Sequence, residues 1–260
     1  MFRSLNVAAT GMAAEETQLD TIANNLANAN TTGYKTQTAQ FEDLLYQSLR
    51  SPTQNSDGTT VPTQTQVGTG VRVVATSRSF SEGTLQQTGN SLDLAIEGQG
   101  FFAVTQTNGM LAYTRAGSLQ LDSQGRITTP DGLPLEPPIT VPSTATSVSI
   151  ASDGTVTVVQ PGSTASTKLG QIQLTVFPNP NGLASNGQNL YTPTDASGQA
   201  ISGVPATEGR GTIMQGSLEG SNVDVVTEMV AMIQTQRAYE IDSKVISAAD
   251  EMLRNATQNQ

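Results

Sequence analysis

The stretch LNVAATGMAAEETQLDTIANNL, residues 5–26, places Leu5, Met12, Leu19 and Leu26 seven residues apart. One apolar residue in each heptad winds a stripe along an α-helix, and such a stripe needs a second helix to cover it. The other end of the chain offers one: in VVTEMVAMIQTQRAYEIDSKVISAADEML, residues 225–253, Val225, Met232, Tyr239, Ile246 and Leu253 repeat at the same interval. A second row on the first helix, Ala8, Ile22 and Ala29, is interrupted by Glu15, and Gln236 and Ser243 interrupt its counterpart on the last. Met12, Met229 and Met232 are adaptable packers that specify register weakly. The expected fold is α+β, with long N- and C-terminal helices packed as a coiled-coil-like stalk and a central β-rich domain of hairpins.

The first helix is expected over about Ser4 to Asn30, weakened by about 1 kcal/mol at Gly11. The run Asn28-Ala29-Asn30-Thr31-Thr32-Gly33 supplies the small, polar and positive-φ residues that end helices. Phe41, Leu44, Leu45 and Leu49 follow at helical spacing, which predicts a short helix closed by Ser51-Pro52. From Gln54 to Gln66 the chain is almost wholly Thr, Gln, Ser, Asn and Gly around Asp57-Gly58, a flexible loop or a two-stranded arm. Beyond Val67, alternating runs such as Leu92-Asp93-Leu94-Ala95-Ile96 and Thr155-Val156-Thr157-Val158 are punctuated by Asn108-Gly109, Asp131-Gly132, Asp153-Gly154 and Asn181-Gly182, the marks of hairpins. Ser221 with Asp224 three residues later predicts a capping box opening the last helix. The expected division is a helical core from residues 1–45 and 217–260, a polar arm over 46–66 and a β-rich outer domain over 67–216.

Composition narrows the chemistry. The chain has neither Cys nor His, which removes disulfides and the thiolate and imidazole ligands of most zinc, haem and iron–sulfur sites, and no cofactor or metal is expected. Net charge is -10, with 12 basic residues scattered along the chain, so no stripe exists to neutralise phosphates and nucleic acid is an unsuitable partner. No segment approaches the roughly 20 apolar residues of a membrane span, and Glu15, Glu16 and Asp20 fall where the apolar core of a cleaved signal peptide would run.

The stretch Ala23-Asn24-Asn25-Leu26-Ala27-Asn28-Ala29-Asn30-Thr31-Thr32-Gly33-Tyr34-Lys35 resembles the N-terminal signature of the bacterial flagellar rod and hook proteins. The segments Glu219-Gly220-Ser221-Asn222-Val223-Asp224 and Met232 through Glu240 resemble its C-terminal counterpart. Asp93 through Phe102 and Tyr113-Thr114-Arg115-Ala116-Gly117-Ser118 are similar to the family's internal motifs, so the resemblance covers nearly the whole chain. Within the family, a length that leaves room for one outer β-domain and the polar segment from Tyr46 to Gln66, followed by Gly68-Thr69-Gly70-Val71-Arg72, resemble the distal part of the rod; a proximal rod or hook subunit is the alternative. The resemblance implies a non-catalytic structural subunit of the basal body that spans periplasm to outer membrane. Its implied partners are further copies of itself, proximal rod proteins, hook subunits and the hook–rod interface, the surrounding rings, and the type III export apparatus that carries the chain without a cleaved signal peptide. The terminal helices would form the inner tube of a helical polymer and the β-domain its outer layer.

The residues expected at subunit interfaces are Leu5, Met12, Leu19, Ile22, Leu26, Val225, Met229, Met232, Gln236, Tyr239, Ile246 and Leu253, with Asn24, Asn25 and Asn28 fixing register through their amides. Other features have plainer readings. Gly98-Gln99-Gly100 lacks the full glycine pattern of a nucleotide loop and is expected as a tight turn. Asp93 and Glu97 could imitate a glycosidase pair, but with aromatics at 4% the chain has few rings to stack sugars, which disfavours a peptidoglycan hydrolase. Arg237 and Glu240 are expected to be solvated or paired across subunits. Binding to a membrane surface is disfavoured by the acidic polar face of the first helix, since anionic lipid selects Lys and Arg.

Overall fold

The computed structural model describes residues 2–50, 53–54, 60–61, 64–162 and 166–258, and the chain divides into two compact units. One comprises Met1–Ala27, Gln37–Ser77 and Asp224–Gln260; the other comprises Asn28–Thr36 and Arg78–Val223.

In the first unit, helix α1 (Phe2–Ala27) packs along helix α2 (Val225–Gln258). They run antiparallel: Asn25 meets Glu228 at one end of the pair, and Gly11 faces Asp242 further along. The buried positions are Ala8, Ala14, Thr21, Ile22 and Asn25 on α1 and Thr235 and Ala249 on α2. Apart from Ile22 and Asn25 this seam is built from small residues, and it holds Ala8 and Ile22 of the second row in place of the Leu5–Leu26 row. Leu5, Met12, Leu19 and Leu26 are only half-buried, and Val225 and Tyr239 are exposed. A side chain at Gly11 would run into the Asp242 carboxylate, so closeness to α2 explains a residue that weakens the isolated helix.

Three local expectations are corrected. Helix α1 ends at Ala27, and the turn that follows closes with Thr31 N–H donating to Asn28 O at 3.1 Å. No helix forms over Phe41–Leu49. Residues Gln37–Asp43 are strand β1 and Gln47–Arg50 strand β2, and Leu45 between them is 91% exposed. Helical spacing in so short a run is ambiguous, and pairing with strands further along the chain prevails. The helix cap is Asp224, whose carboxylate accepts the Val226 N–H at 3.0 Å and the Thr227 hydroxyl at 2.7 Å, while Ser221 Oγ accepts only the Val223 N–H just outside the helix.

Strand β2 pairs antiparallel with β5 (Thr65–Val67), and the short β3 (Thr53–Gln54) pairs antiparallel with β4 (Thr60–Val61). The Asp57-Gly58 turn expected between them lies outside the described residues. Strand β6 (Val71–Arg78) pairs with β1.

The second unit is β-rich. Strands β7 (Leu85–Gln87) and β8 (Leu94–Glu97) pair respectively with Ser217–Glu219 and Thr212–Gln215, the last strands before α2. Strands β9 (Phe101–Thr105) and β10 (Leu111–Thr114) form a hairpin closed at Asn108-Gly109, in the middle of a seven-stranded sheet. The strands Ser147–Ile150, Thr155–Val159 and Ser166–Gln171 make a separate three-stranded antiparallel sheet. One hydrophobic core runs through Leu94, Ile96, Phe102, Leu135, Val156 and Leu174. On the other face of β9, Phe101 packs edge-on against Phe80, Phe177 and Tyr191.

Gly33 has φ +69°, and a Cβ there would lie 2.7 Å from the Ala116 nitrogen. Gly109 has φ +79° with open space around it. Both Gly→Ala changes force a left-handed residue, a penalty of about 1–3 kcal/mol, but only Gly33→Ala adds a backbone collision. Denaturant titration should show Gly33→Ala losing at least about 1 kcal/mol more than Gly109→Ala; equal losses would remove the packing argument.

Candidate functional site

Three of the sequence motifs meet in one place. Lys35, in the segment that follows α1, donates from Nζ to Glu219 Oε1 at 2.6 Å, and Arg115, just after β10, donates from Nε to Glu219 Oε2 at 2.8 Å. Glu219 lies in the segment that leads to α2. Side-chain exposure is 0% for Lys35 and Glu219 and 3% for Arg115. The carboxylate also accepts the Gly83 N–H at 3.1 Å. Two cations face one anion, and backbone carbonyls take up the surplus: Ser81 O accepts from Lys35, and Ile96, Gly98 and Gly100 O accept from the Arg115 guanidinium. The Gly98-Gln99-Gly100 turn is therefore a carbonyl cradle for an arginine.

The imbalance of charge sets the proton affinities. Burial works to raise the Glu219 pKa, but Arg115 and Lys35 outweigh it and hold the carboxyl below its ordinary value. Lys35 is lowered, first by burial and then by the like charge of Arg115, with Glu219 opposing. A saturated, buried carboxylate has no route to a substrate. What it does is hold together the segment that leaves α1, the β10 end and the segment that enters α2.

Asn222 makes a second tie within the same unit. Its Oδ1 accepts the Thr36 N–H at 2.7 Å and the Thr36 hydroxyl at 2.6 Å, and its Nδ2 donates to Ser79 O at 2.9 Å. In the helical unit, Asn25 is spent inside the chain: Oδ1 accepts the Gln37 N–H at 2.9 Å, and Nδ2 donates to Gln37 O at 2.8 Å and Glu228 Oε1 at 3.1 Å. It pairs with β1 as a neighbouring strand would. The Glu228 carboxyl is raised by burial, with the Asn25 bond opposing and Asp224 adding to the rise. Asn28 Oδ1 accepts the Thr31 hydroxyl at 3.1 Å, while Asn24 is exposed.

The remaining expected interface residues divide by burial. Ile22 is inside the α1–α2 seam; Leu5, Met12, Leu19, Leu26, Met232, Ile246 and Leu253 are half-buried; Val225, Met229, Gln236 and Tyr239 are exposed. Outside the expected set, Val226, Val230, Ile233 and Ile241 continue the exposed apolar face of α2. The signal was present as i, i+4, i+7 spacing from Val226, hidden beside the stronger heptad. Arg237 pairs with Glu240 within α2 at 3.0 Å. Asp93 accepts from Thr88 and Asn90 side chains, and Glu97 is exposed, so the two do not form a catalytic pair. No helix among the described residues is long and apolar enough to cross a membrane.

Comparison with known proteins agrees along the whole chain. Residues 5–35 match the family described as flagella basal body rod protein, residues 95–158 the flagellar hook protein FlgE/F/G D1 domain, and residues 214–259 the flagellar basal body rod FlgEFG protein C-terminal region. The flagellar basal-body rod protein FlgG of Buchnera aphidicola subsp. Acyrthosiphon pisum is 48% identical over 99% of this chain and 100% of its own length. Caulobacter vibrioides supplies two comparisons: its FlgG is 45% identical over 98% of each chain, and its FlgF is 35% identical over 93% of this chain and 91% of its own.

Replacing Glu219 with Gln keeps the shape and leaves two buried cations short of an anion, so the β-rich unit should lose about 3–5 kcal/mol. The same carboxylate gives an acid dependence. Because its pKa is depressed in the fold, its contribution is complete above about 4.5, the ordinary value, and is lost as pH falls through the folded value. Unfolding followed between pH 7 and pH 2 should be less pH-dependent in Glu219→Gln than in the parent; parallel curves would contradict the assignment.

Proposed function

The chain belongs to the flagellar rod and hook protein family, as a structural subunit of the basal-body rod and not an enzyme, and we propose that it polymerises into the distal rod, a rigid hollow shaft that passes motor torque to the hook. The observation that carries this reading is the outer face of α2. Val226 is 71% and Ile233 56% exposed, and Met229 and Val230 lie with them on one stripe. A helix that packs in a monomer normally turns such a stripe inward, so a second use for it is required.

In this reading the helices line a tube with the coiled-coil-like seams completed between copies, and the β-rich unit faces outward. The distal position is favoured by the higher identity to FlgG than to FlgF from one organism. The partners would be proximal rod proteins on one side, hook subunits at the hook–rod junction on the other, and the surrounding rings as the rod crosses from periplasm to outer membrane. The chain would reach that place unfolded, through the flagellar export apparatus, without cleavage of a signal peptide.

The test separates folding from assembly. Ile233→Glu changes an exposed position, so thermal unfolding of the monomer should stay within about 0.5 kcal/mol of the parent, while sedimentation and electron microscopy should show tube formation lost. A variant that still forms tubes would remove the α2 face from the assembly surface. Deleting residues 46–66, the polar arm, should leave tubes that bend more; tubes of unchanged straightness would rule out a stiffening role for that arm.

A further inference from the structure

Beside the start of α1 lies an open groove of about 1250 Å³, lined by Val7, Val67, Val71 and Val245, with Arg3 at its edge and the Asp242 carboxylate against Gly11. It is larger than the roughly 300–1,000 Å³ of pockets that hold small molecules, a volume closer to that of a stretch of polypeptide. Its chemistry is apolar with two charged groups, the Asp242 carboxylate against Gly11 and the Arg3 guanidinium about two turns of α1 away. Glu15, on α1, faces Asp242 as a like charge, and burial followed by that repulsion raises the Glu15 pKa, so a cation brought to this place would offset the repulsion.

The same chain carries a surface of matching chemistry. On α2, Val226, Val230 and Ile233 form an exposed apolar stripe, and one turn on the stripe reaches Arg237. Arg237 pairs with Glu240, the two being 73% and 53% exposed; such a pair contributes little and exchanges readily. Ile233 on the stripe and Val245 on the α2 wall of the groove are twelve residues apart, roughly 18 Å along one rigid helix, so a copy cannot fill its own groove.

We propose that the groove of one copy receives the Val226–Arg237 face of α2 from a second copy, with the incoming Arg237 guanidinium set against Asp242. This rests on the reading that the chain self-assembles and specifies which faces meet. The contact is heterologous, since the two mating surfaces differ, and repeating it without closure generates an open helical array.

The absence of cysteine from the chain makes the test direct. Single variants Ile233→Cys and Val245→Cys, each checked for parental circular dichroism, are mixed, assembled and oxidised. The expected product is the mixed disulfide dimer, in about tenfold excess over either like-with-like dimer. Tubes that form with no mixed dimer, or with like-with-like dimers dominant, overturn the pairing and leave self-assembly standing; a parent chain that stays monomeric at every concentration overturns both. Charge reversal gives an independent measure. Arg237→Glu alone and Asp242→Arg alone should each raise the assembly threshold about tenfold or more through like-charge contact, and the double variant should return it toward the parent. A folded double variant as defective as either single one overturns the Arg237–Asp242 contact.

Discussion

A carboxylate with no exposure to water sets the terms for the β-rich unit. Glu219 is tolerable in the interior only because Lys35, Arg115 and the Gly83 N–H all reach it, and those cations are tolerable only because the carbonyls of residues 81, 96, 98 and 100 take up their remaining donors. Replacing a buried triad of this kind by apolar side chains is often neutral or stabilising, so net stability is a poor account of it. Specificity is a better one. Lys35 and Glu219 are 184 residues apart, and one mutual arrangement of their segments satisfies every charge at once. The Gly33 N–H bond to Glu219 O and the Asn222 bonds to Thr36 and Ser79 belong to that same arrangement.

Much of the fold was legible because it rests on periodicity and turn chemistry. Seven-residue spacing survives whichever face of a helix is buried, so both terminal helices were visible, as were hairpins closed at Asn108-Gly109 and Asp153-Gly154. Which face is buried was harder to see. Reading the seam from large residues favours Leu5 and Leu19, whereas Ala8, Gly11, Ala14 and Thr21 let the backbones approach and so occupy it. The segment from Phe41 to Leu49 was misleading for a related reason. Its apolar spacing imitates a helix turn, yet its backbone pairs as strand and leaves Leu45 in solvent. Ser221 and Asp224 are both good caps, and only the structure decides between them.

The site was half legible. Lys35, Arg115 and Glu219 all sit inside stretches that family resemblance singles out, but no local rule joins three charged residues from three distant motifs. In a chain with 12 basic residues, a cation beside Tyr34 and another beside Thr114 were the available hints. Asn25, expected at a subunit interface, binds Gln37 and Glu228 in its own chain. A buried amide must be satisfied before it can specify anything, and the nearest unpaired backbone at β1 is an immediate partner.

Small residues inside the α1–α2 seam have a further consequence for α2. With the seam filled mainly by Ala, Gly and Thr beside Ile22, large apolar residues of α2 such as Val226 and Ile233 face outward, which would make the monomer adhesive if nothing restrained it. Two features restrain it. The stripe is interrupted by Arg237 and by the nearby Lys244, so a flat apolar partner must bury charge. The chain as a whole carries a net charge of -10, and copies therefore repel unless their contact brings opposite charges together. An apolar face that is attractive only when a cation finds its carboxylate discriminates against random association, because the wrong register buries an unpaired charge. The restraint and the recognition are thus the same physical term with opposite sign.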